Sequence, residues 1–270
     1  MVRVGQRLGK YRLKRRVARG GFGDVFEAYD TIEGISVAIK VPLQALSSEH
    51  IDDFRREVRI TAKLDHPNIL PLKNADIIDG VFTIVQPLGI GSLDHRMSTR
   101  MNLATKIDYV DQMLAGLSYA HEHGIIHCDI KPDNMILFAD GRLRLADFGI
   151  AKFARKTIQG SASGSIGYMA PEQAMGRPSA RSDVFAAGLV IHQLLTNKLP
   201  TWPFAWPPAG WDRLKRQHPD LREFVRRALE FEARKRYSDA ALMYRVFRRL
   251  KPRALKYAAE KRRRTGRSRR

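Results

Sequence analysis

Three short stretches hold most of the residues whose types and spacing could do chemistry. His127-Cys128-Asp129-Ile130-Lys131-Pro132-Asp133-Asn134 packs a base, a cation and an amide oxygen into one segment that Pro132 stiffens. Eighteen residues after Asp129, Asp147-Phe148-Gly149 places a carboxylate at a turn, behind the apolar pattern Leu143, Leu145, Ala146. Magnesium prefers oxygen ligands and takes one or two from a protein beside phosphate oxygens, a set that Asp147 and Asn134 supply. Further back, Val37-Ala38-Ile39-Lys40 sets one amine in a mostly apolar strand pattern. A buried lysine needs an acid, and Glu57 in the following helical pattern is the leading candidate. A lysine snorkelling from a surface strand is the plainer reading of Lys40 taken singly.

Ahead of that strand, Ala18-Arg19-Gly20-Gly21-Phe22-Gly23-Asp24-Val25 lies between two strand patterns. Closely spaced glycines let backbone amides approach phosphate oxygens, although a plain hairpin turn has the same composition. A dinucleotide-binding turn requires a helix after the glycines and a glycine where Ala18 stands, and both requirements fail.

These residues need elements to hold them. From Tyr11 to about Val41, short alternating apolar segments broken by Gly20, Gly21, Gly23 and Gly34 predict antiparallel strands. Ile51, Phe54, Val58, Ile60 and Leu64 recur at helical spacing, which predicts a helix over 47–64. Two further strand-like runs, Ile69–Leu72 and Val81–Val85, precede the hinge-like stretch Gly89–Ser92. Beyond it, helical patterns cover Ala104–Glu122, Ser182–Thr196, Leu221–Glu230 and Ser238–Leu250. The expected fold is α+β, with a small β-rich lobe over 11–86 and a larger α-rich lobe over 87–250. Such junctions commonly form ligand clefts.

At 270 residues and 44% hydrophobic, the chain is long enough for a substantial core. Its net charge of +20 sits at the ends: residues 1–20 carry +8 and residues 251–270 carry +9, leaving +3 for the middle. A basic N-terminal extension over 1–10 and a basic, disordered tail over 251–270 are expected, the tail being either simply solvated or a contact to anionic lipid or nucleic acid. Cys128 is the only cysteine, so no intramolecular disulfide forms and a cytoplasmic, membrane-peripheral location is expected. No leader-like apolar stretch opens the chain, and the longest apolar run, about Phe185–Leu195, is too short to span a bilayer.

The order Gly20/Gly23, Lys40, Glu57, Asp129, Lys131, Asn134, Asp147 and Ala170-Pro171-Glu172 resembles the protein kinase family of the eukaryotic-like (Hanks) type, over about Tyr11 to Leu250. The resemblance implies the bilobal kinase fold, ATP with Mg²⁺ or Mn²⁺, and protein substrates. By similarity, Gly20, Gly21, Phe22 and Gly23 cover the ATP phosphates, Lys40 holds the α- and β-phosphates, and Glu57 orients Lys40. Adenine is expected between Val17, Val25 and Ala38 above and Ile136 below, with Ala18 in the ATP-binding loop, backbone groups of Gln86 and Leu88 reading the adenine edge and Val85 as gatekeeper. Asp129 is the implied catalytic base, Lys131 steadies the transferring group, and Asn134 with Asp147 binds the metal. Lys131 and Ser165, the latter in the substrate-facing loop, resemble the serine/threonine branch. Asp183, Glu172 and Arg236 resemble structural ties of the helical lobe.

Two departures stand out. Ala18 replaces the first glycine of the phosphate loop, and Cys128 replaces an arginine that in many relatives pairs with an activation-loop phosphate. Thr157, Ser161 and Ser163 are candidate phosphosites in that loop, yet Cys128 predicts activity without their phosphorylation. A kinase-shaped scaffold without transfer activity and a small-molecule kinase are the rival readings. Lys40, Asp129 and Asp147 speak against the first, and Ser165 with the Ala170-Pro171-Glu172 segment against the second.

Overall fold

The computed structural model describes residues 2–19, 23–42, 55, 58–148, 166–201 and 206–267. The first lobe is a six-stranded antiparallel sheet of β1 (Arg7–Leu8), β2 (Tyr11–Arg19), β3 (Gly23–Asp30), β4 (Ile35–Pro42), β5 (Asn74–Ile78) and β6 (Val81–Pro87), in the order β1-β2-β3-β4-β6-β5. Strand residues alternate between faces. One face buries Leu8, Tyr11, Leu13, Phe26, Ala28, Val37, Ile39, Val41 and Val85 together. The intervening residues Val25, Ala38 and Lys40 are thereby left to the other face, which borders the second lobe.

The expected strand Ile69–Leu72 does not form. Leu70 N–H donates to Leu145 O and Ile69 makes one isolated bridge to Leu145, but Pro71 has no N–H to continue a ladder. The strand comes instead at Asn74–Ile78, paired with β6. Of the helix expected over 47–64, residue 55 and residues 58–61 are helical, whereas 62–64 have already left the helix.

The second lobe begins with β7 (Gly91–Ser92) and α1 (Leu93–Met97), which Ser92 caps by accepting from His95 N–H. Helix α2 (Leu103–Glu122) carries Ile107, Val110, Met113, Leu114 and Leu117 inward at helical spacing. β8 (Met135–Leu137) and β9 (Leu143–Leu145) join β7 in a small sheet. After the short α3 (Pro171–Ala174), α4 (Ala180–Thr196) is buried almost all round, as its apolar run Val184–Leu195 requires of a central helix. α5 (Trp211–Leu214), α6 (Pro219–Ala228) and α7 (Ala240–Arg267) complete the lobe.

Helix α7 corrects the expectation of a disordered segment after residue 250. Its inner stripe, Met243, Phe247, Leu250 and Ala254, is buried and carries the helix across the 250 boundary. Polar ties then secure it: Lys251 Nζ to Asp111 Oδ2 at 2.9 Å, Arg253 to Asp220 at 2.7 Å, Tyr257 edge-on to His218, and Lys261 Nζ to Arg216 O at 3.1 Å. Pro252 withdraws one N–H from the helix interior, and packing on both sides carries the helix past it. Charge counted along the chain could not reveal this, because the groups that hold α7 are far away in sequence.

Candidate active site

The link between the lobes allows little space. A Cβ on Gly89 would lie 2.2 Å from Ile136 Cγ2 and 2.7 Å from Leu137 O, so only glycine lets the link pass against β8. Gly91 and Ser92 then pair with Leu137 and Ile136. In this way Ile136 comes to lie directly behind the link between the lobes.

Register settles which residues of β6 lie beside Ala38 and Lys40. Ala38 pairs with Gln86 and Lys40 with Ile84, whereas Val85 pairs with Ile39. Val85 is 1% exposed and belongs to the buried cluster on the far face of the sheet. On β6, Ile84 is therefore the residue paired with Lys40, and Val85, the expected gatekeeper, is the next residue toward the link. Val17 is the extra residue of a β-bulge between Arg16 and Ala18 and is 45% exposed, and Ala18 pairs with Val25. Gly23 opens β3, where a Cβ would meet Val41 O at 2.3 Å.

Lys40 is 6% exposed, which removes the snorkelling reading. Its Nζ donates to Asp147 Oδ1 at 2.9 Å. Burial alone would raise the Asp147 carboxyl, but the charge and hydrogen bond of Lys40, helped by His127 and Lys131, hold it below the usual carboxylate range. Asp147 adopts φ 63, a left-handed conformation uncommon for a residue with a side chain.

The loop before β8 is bound to itself and to the lobe. Asn134 Nδ2 donates to Asp129 O at 2.9 Å and to Asp129 Oδ2 at 2.8 Å, and Lys131 Nζ donates to the same Oδ2 at 2.8 Å. Asp129 Oδ1 is left without a hydrogen bond among the described residues. Ala146 N–H donates to Asn134 O at 2.8 Å, bringing Asn134 beside Asp147. His127 is fully buried against Phe148. Its Nδ1 faces Asp129 N–H at 3.3 Å and its Nε2 faces Ala146 O at 3.0 Å, so these partners assign the ring proton to Nε2.

Asp183, in the first turn of α4, accepts from His127 N–H and Cys128 N–H at 2.7 Å each and from His121 Nε2 at 2.9 Å. His121 Nδ1 in turn accepts Ala240 N–H at 3.0 Å, which joins the start of α7 to this cluster. Cys128 is buried at φ 64, and its carbonyl accepts from Gln173 Nε2 at 2.7 Å. Glu172 accepts two guanidinium bonds from Arg236, at 2.7 and 3.1 Å, and one from Ser182 Oγ at 2.7 Å. Burial opposes the Glu172 charge, but these bonds hold its carboxyl below the usual range.

The structure thus gathers Asp129, Lys131, Asn134, Asp147 and Lys40 at one place, with Val25, Ala38 and Ile136 adjoining. Gly20, Gly21, Phe22, Glu57, Thr157, Ser161, Ser163 and Ser165 lie outside the described residues. His121, Gln173 and Ile84 were not singled out from sequence. His121 had a usable signal, a histidine closing an otherwise apolar helix pattern, whereas the reach of Gln173 across 45 positions had none.

The donor set suits a hard divalent cation. Asp147 presents an ionised carboxylate, and Asn134, whose NH₂ is committed to Asp129, presents its amide oxygen. Among the described residues no three of His, Cys, Asp and Glu cluster as a metal shell.

A sequence model described as protein kinase domain matches residues 11–247. The serine/threonine-protein kinase PknA of Mycobacterium tuberculosis is 37% identical over 214 residues, which is 73% of this chain and 49% of that protein. PrkC of Bacillus subtilis, a serine/threonine-protein kinase, is 34% identical over 207 residues, 73% of this chain and 32% of that protein. The chain therefore spans about half the length of the first relative and a third of the second. Among solved structures, the PknI kinase domain of M. tuberculosis has a TM-score of 0.70 at 25% identity, covering 92% of this chain and 99% of that one. The apo form of PpkA-294 has a TM-score of 0.76 at 20% identity, with 92% and 99% covered, and speaks for the fold alone.

Proposed function

This chain belongs to the protein kinase family, and on that premise we propose that it transfers the γ-phosphoryl group of ATP to serine or threonine hydroxyls of proteins, itself included. The observation that carries the proposal is the joint position of Asp129, Lys131 and Asn134 in one hydrogen-bonded loop with the Lys40–Asp147 pair beside it. A scaffold without activity would have no need of all three of Lys40, Asp129 and Asp147.

In this reading adenine lies between Val25 and Ala38 above and Ile136 below, with Val17 and Ala18 at the rim and the backbone of Gln86 and Leu88 reading its edge. The glycine segment 20–23 covers the phosphates, and Lys40, held in the sheet and oriented by Glu57, meets the α- and β-phosphates. Asp147 and Asn134 would hold Mg²⁺ or Mn²⁺, which when bound neutralises phosphate charge. Asp129 accepts the substrate hydroxyl proton on Oδ1, because Oδ2 is occupied by Lys131 and Asn134. Lys131 stabilises charge on the transferring group. Phosphoryl transfer relies on positioning and charge neutralisation, so this set is chemically sufficient. Ser165 and the segment before Ala170 would receive the substrate.

The sequence resemblance to serine/threonine-protein kinases supports those acceptors. No described helix is long and apolar enough to cross a membrane. For the exposed cations of α7 we favour anionic lipid headgroups over nucleic acid, since the described aromatics of that helix are engaged, Tyr257 edge-on to His218 and Tyr244 under Arg248, and a cytoplasmic, membrane-peripheral location fits that reading.

The test is incubation with radiolabelled ATP, Mg²⁺ and a basic protein substrate, beside Asp147→Asn. Label on serine or threonine that disappears in the variant is expected. Nucleotide binding without any label in the wild type would overturn the proposal.

A further inference from the structure

We propose that Gln173 is a positioning residue for phosphoryl transfer, fixing from outside the loop the peptide plane that leads into Asp129; this rests on the kinase reading above. Gln173 Nε2 donates to Cys128 O at 2.7 Å, and that carbonyl belongs to the Cys128–Asp129 peptide. Among the described residues, the N–H of the same peptide is held by the longer 3.3 Å contact to His127 Nδ1. The preceding peptide is held by Asp183 Oδ1, which accepts Cys128 N–H at 2.7 Å. Both planes flanking Cys128 are thus set by side chains from other elements, Asp183 on α4 and Gln173 on α3.

Cys128 needs such restraint. At φ 64 it occupies the left-handed region, which a residue with a β-carbon keeps only when its surroundings over-determine it. The side chain of Asp129 follows directly, so rotation of the Cys128–Asp129 plane would swing Oδ1 away from an acceptor hydroxyl. Inside the loop, Asn134 and Lys131 hold the side chain of Asp129, whereas the carbonyl of the Cys128–Asp129 peptide is held by Gln173.

The anchor for Gln173 is firm. Its neighbour Glu172 is bonded to Arg236 and Ser182, and Gln173 N–H donates to Ala170 O. Pro171 is buried at the start of α3. The helix is thereby clamped to the large lobe through Glu172, and Gln173 reaches from it in the other direction to the loop. The chemistry required is a neutral or cationic donor of about this reach, since Cys128 O can only accept.

Gln173→Glu keeps the size and removes the donor, Gln173→Ala removes the side chain, and Gln173→Lys restores a donor. Steady-state transfer to a basic protein should show kcat lowered about tenfold in the Ala and Glu variants, with KM for ATP within about twofold of wild type. A tenfold loss corresponds to about 1.4 kcal/mol. The Lys variant should recover to within about threefold of wild type. A kcat within twofold of wild type in Gln173→Ala, or equal impairment of the Glu and Lys variants, would overturn the assignment. A lost active fraction also lowers apparent kcat without moving KM, so each variant is assayed below its melting temperature with its active fraction titrated by nucleotide binding, and the recovery in Gln173→Lys marks the positioning defect. A wild-type protein that transfers no phosphate would remove the kinase reading and the proposal together, whereas an active wild type with an unaffected Gln173→Ala removes only the proposal.

Discussion

Lys40 Nζ lies 2.9 Å from Asp147 Oδ1, one from the sheet of the small lobe and the other from the turn after β9 of the large lobe, 107 positions apart. The pair closes the cleft across its two walls. It places a buried cation beside a carboxylate whose remaining oxygen is available for a metal. Lys40→Met should therefore abolish more than removal of a surface charge would: transfer of label from ATP should fall at least about 10²-fold, the loss typical of a group stabilising developing charge. Activity within tenfold of wild type would exclude Lys40 from the chemistry.

Glu172 and Arg236 make a second prediction, in stability against pH. A carboxyl held below its usual value binds fewer protons folded than unfolded, so its contribution is present above that usual value, 4.5, and is lost as pH falls through it and below. The wild-type melting temperature should drop on acidification below about pH 4.5. Glu172→Gln should be less stable by about 3–5 kcal/mol at pH 7, because it leaves a buried guanidinium uncompensated, and should show a flatter acid limb in thermal melts.

Gly89 is testable by adding one methyl group. In Gly89→Ala the new Cβ meets Ile136 and the Leu137 carbonyl at less than contact distance. The lobe link must shift at a cost of about 1–3 kcal/mol. Thermal shift with and without ATP and Mg²⁺ should show both a lower basal melting temperature and a smaller nucleotide-induced increase.

Cys128 bears on activation. With no guanidinium at that position to receive a phosphate, replacing Thr157, Ser161 and Ser163 together by alanine should leave most transfer activity intact. A loss above tenfold in the same label assay would show that phosphorylation of the loop is required.

The arrangement of chemistry was readable in the sequence wherever it depends on local order. The eight residues from His127 to Asn134 form one loop, and their mutual hydrogen bonds follow from that proximity. The alternating apolar strands and the stripe of α2 were equally local. What escaped was set by contacts distant along the chain. The identity of the β6 residue facing Lys40 depends on register between strands, where a one-residue displacement exchanges Ile84 for Val85. The bond from Gln173 to Cys128 and the tie from Ala240 through His121 to Asp183 leave no periodic trace. Pro71 was a signal against a strand at Ile69–Leu72 that the apolar run concealed.

Because α7 is anchored at Lys251, Ala254, Tyr257 and Lys261 and begins with an amide bonded to His121, the autonomous folding unit reaches well beyond Leu250. A protease or a cloning boundary that severed the chain there would remove Ala254 from the inner stripe of α7 and strip Asp111 of its cation. Shortening this protein to what looks from sequence like a tidy catalytic core would thus sacrifice part of the scaffold on which the catalytic loop is mounted.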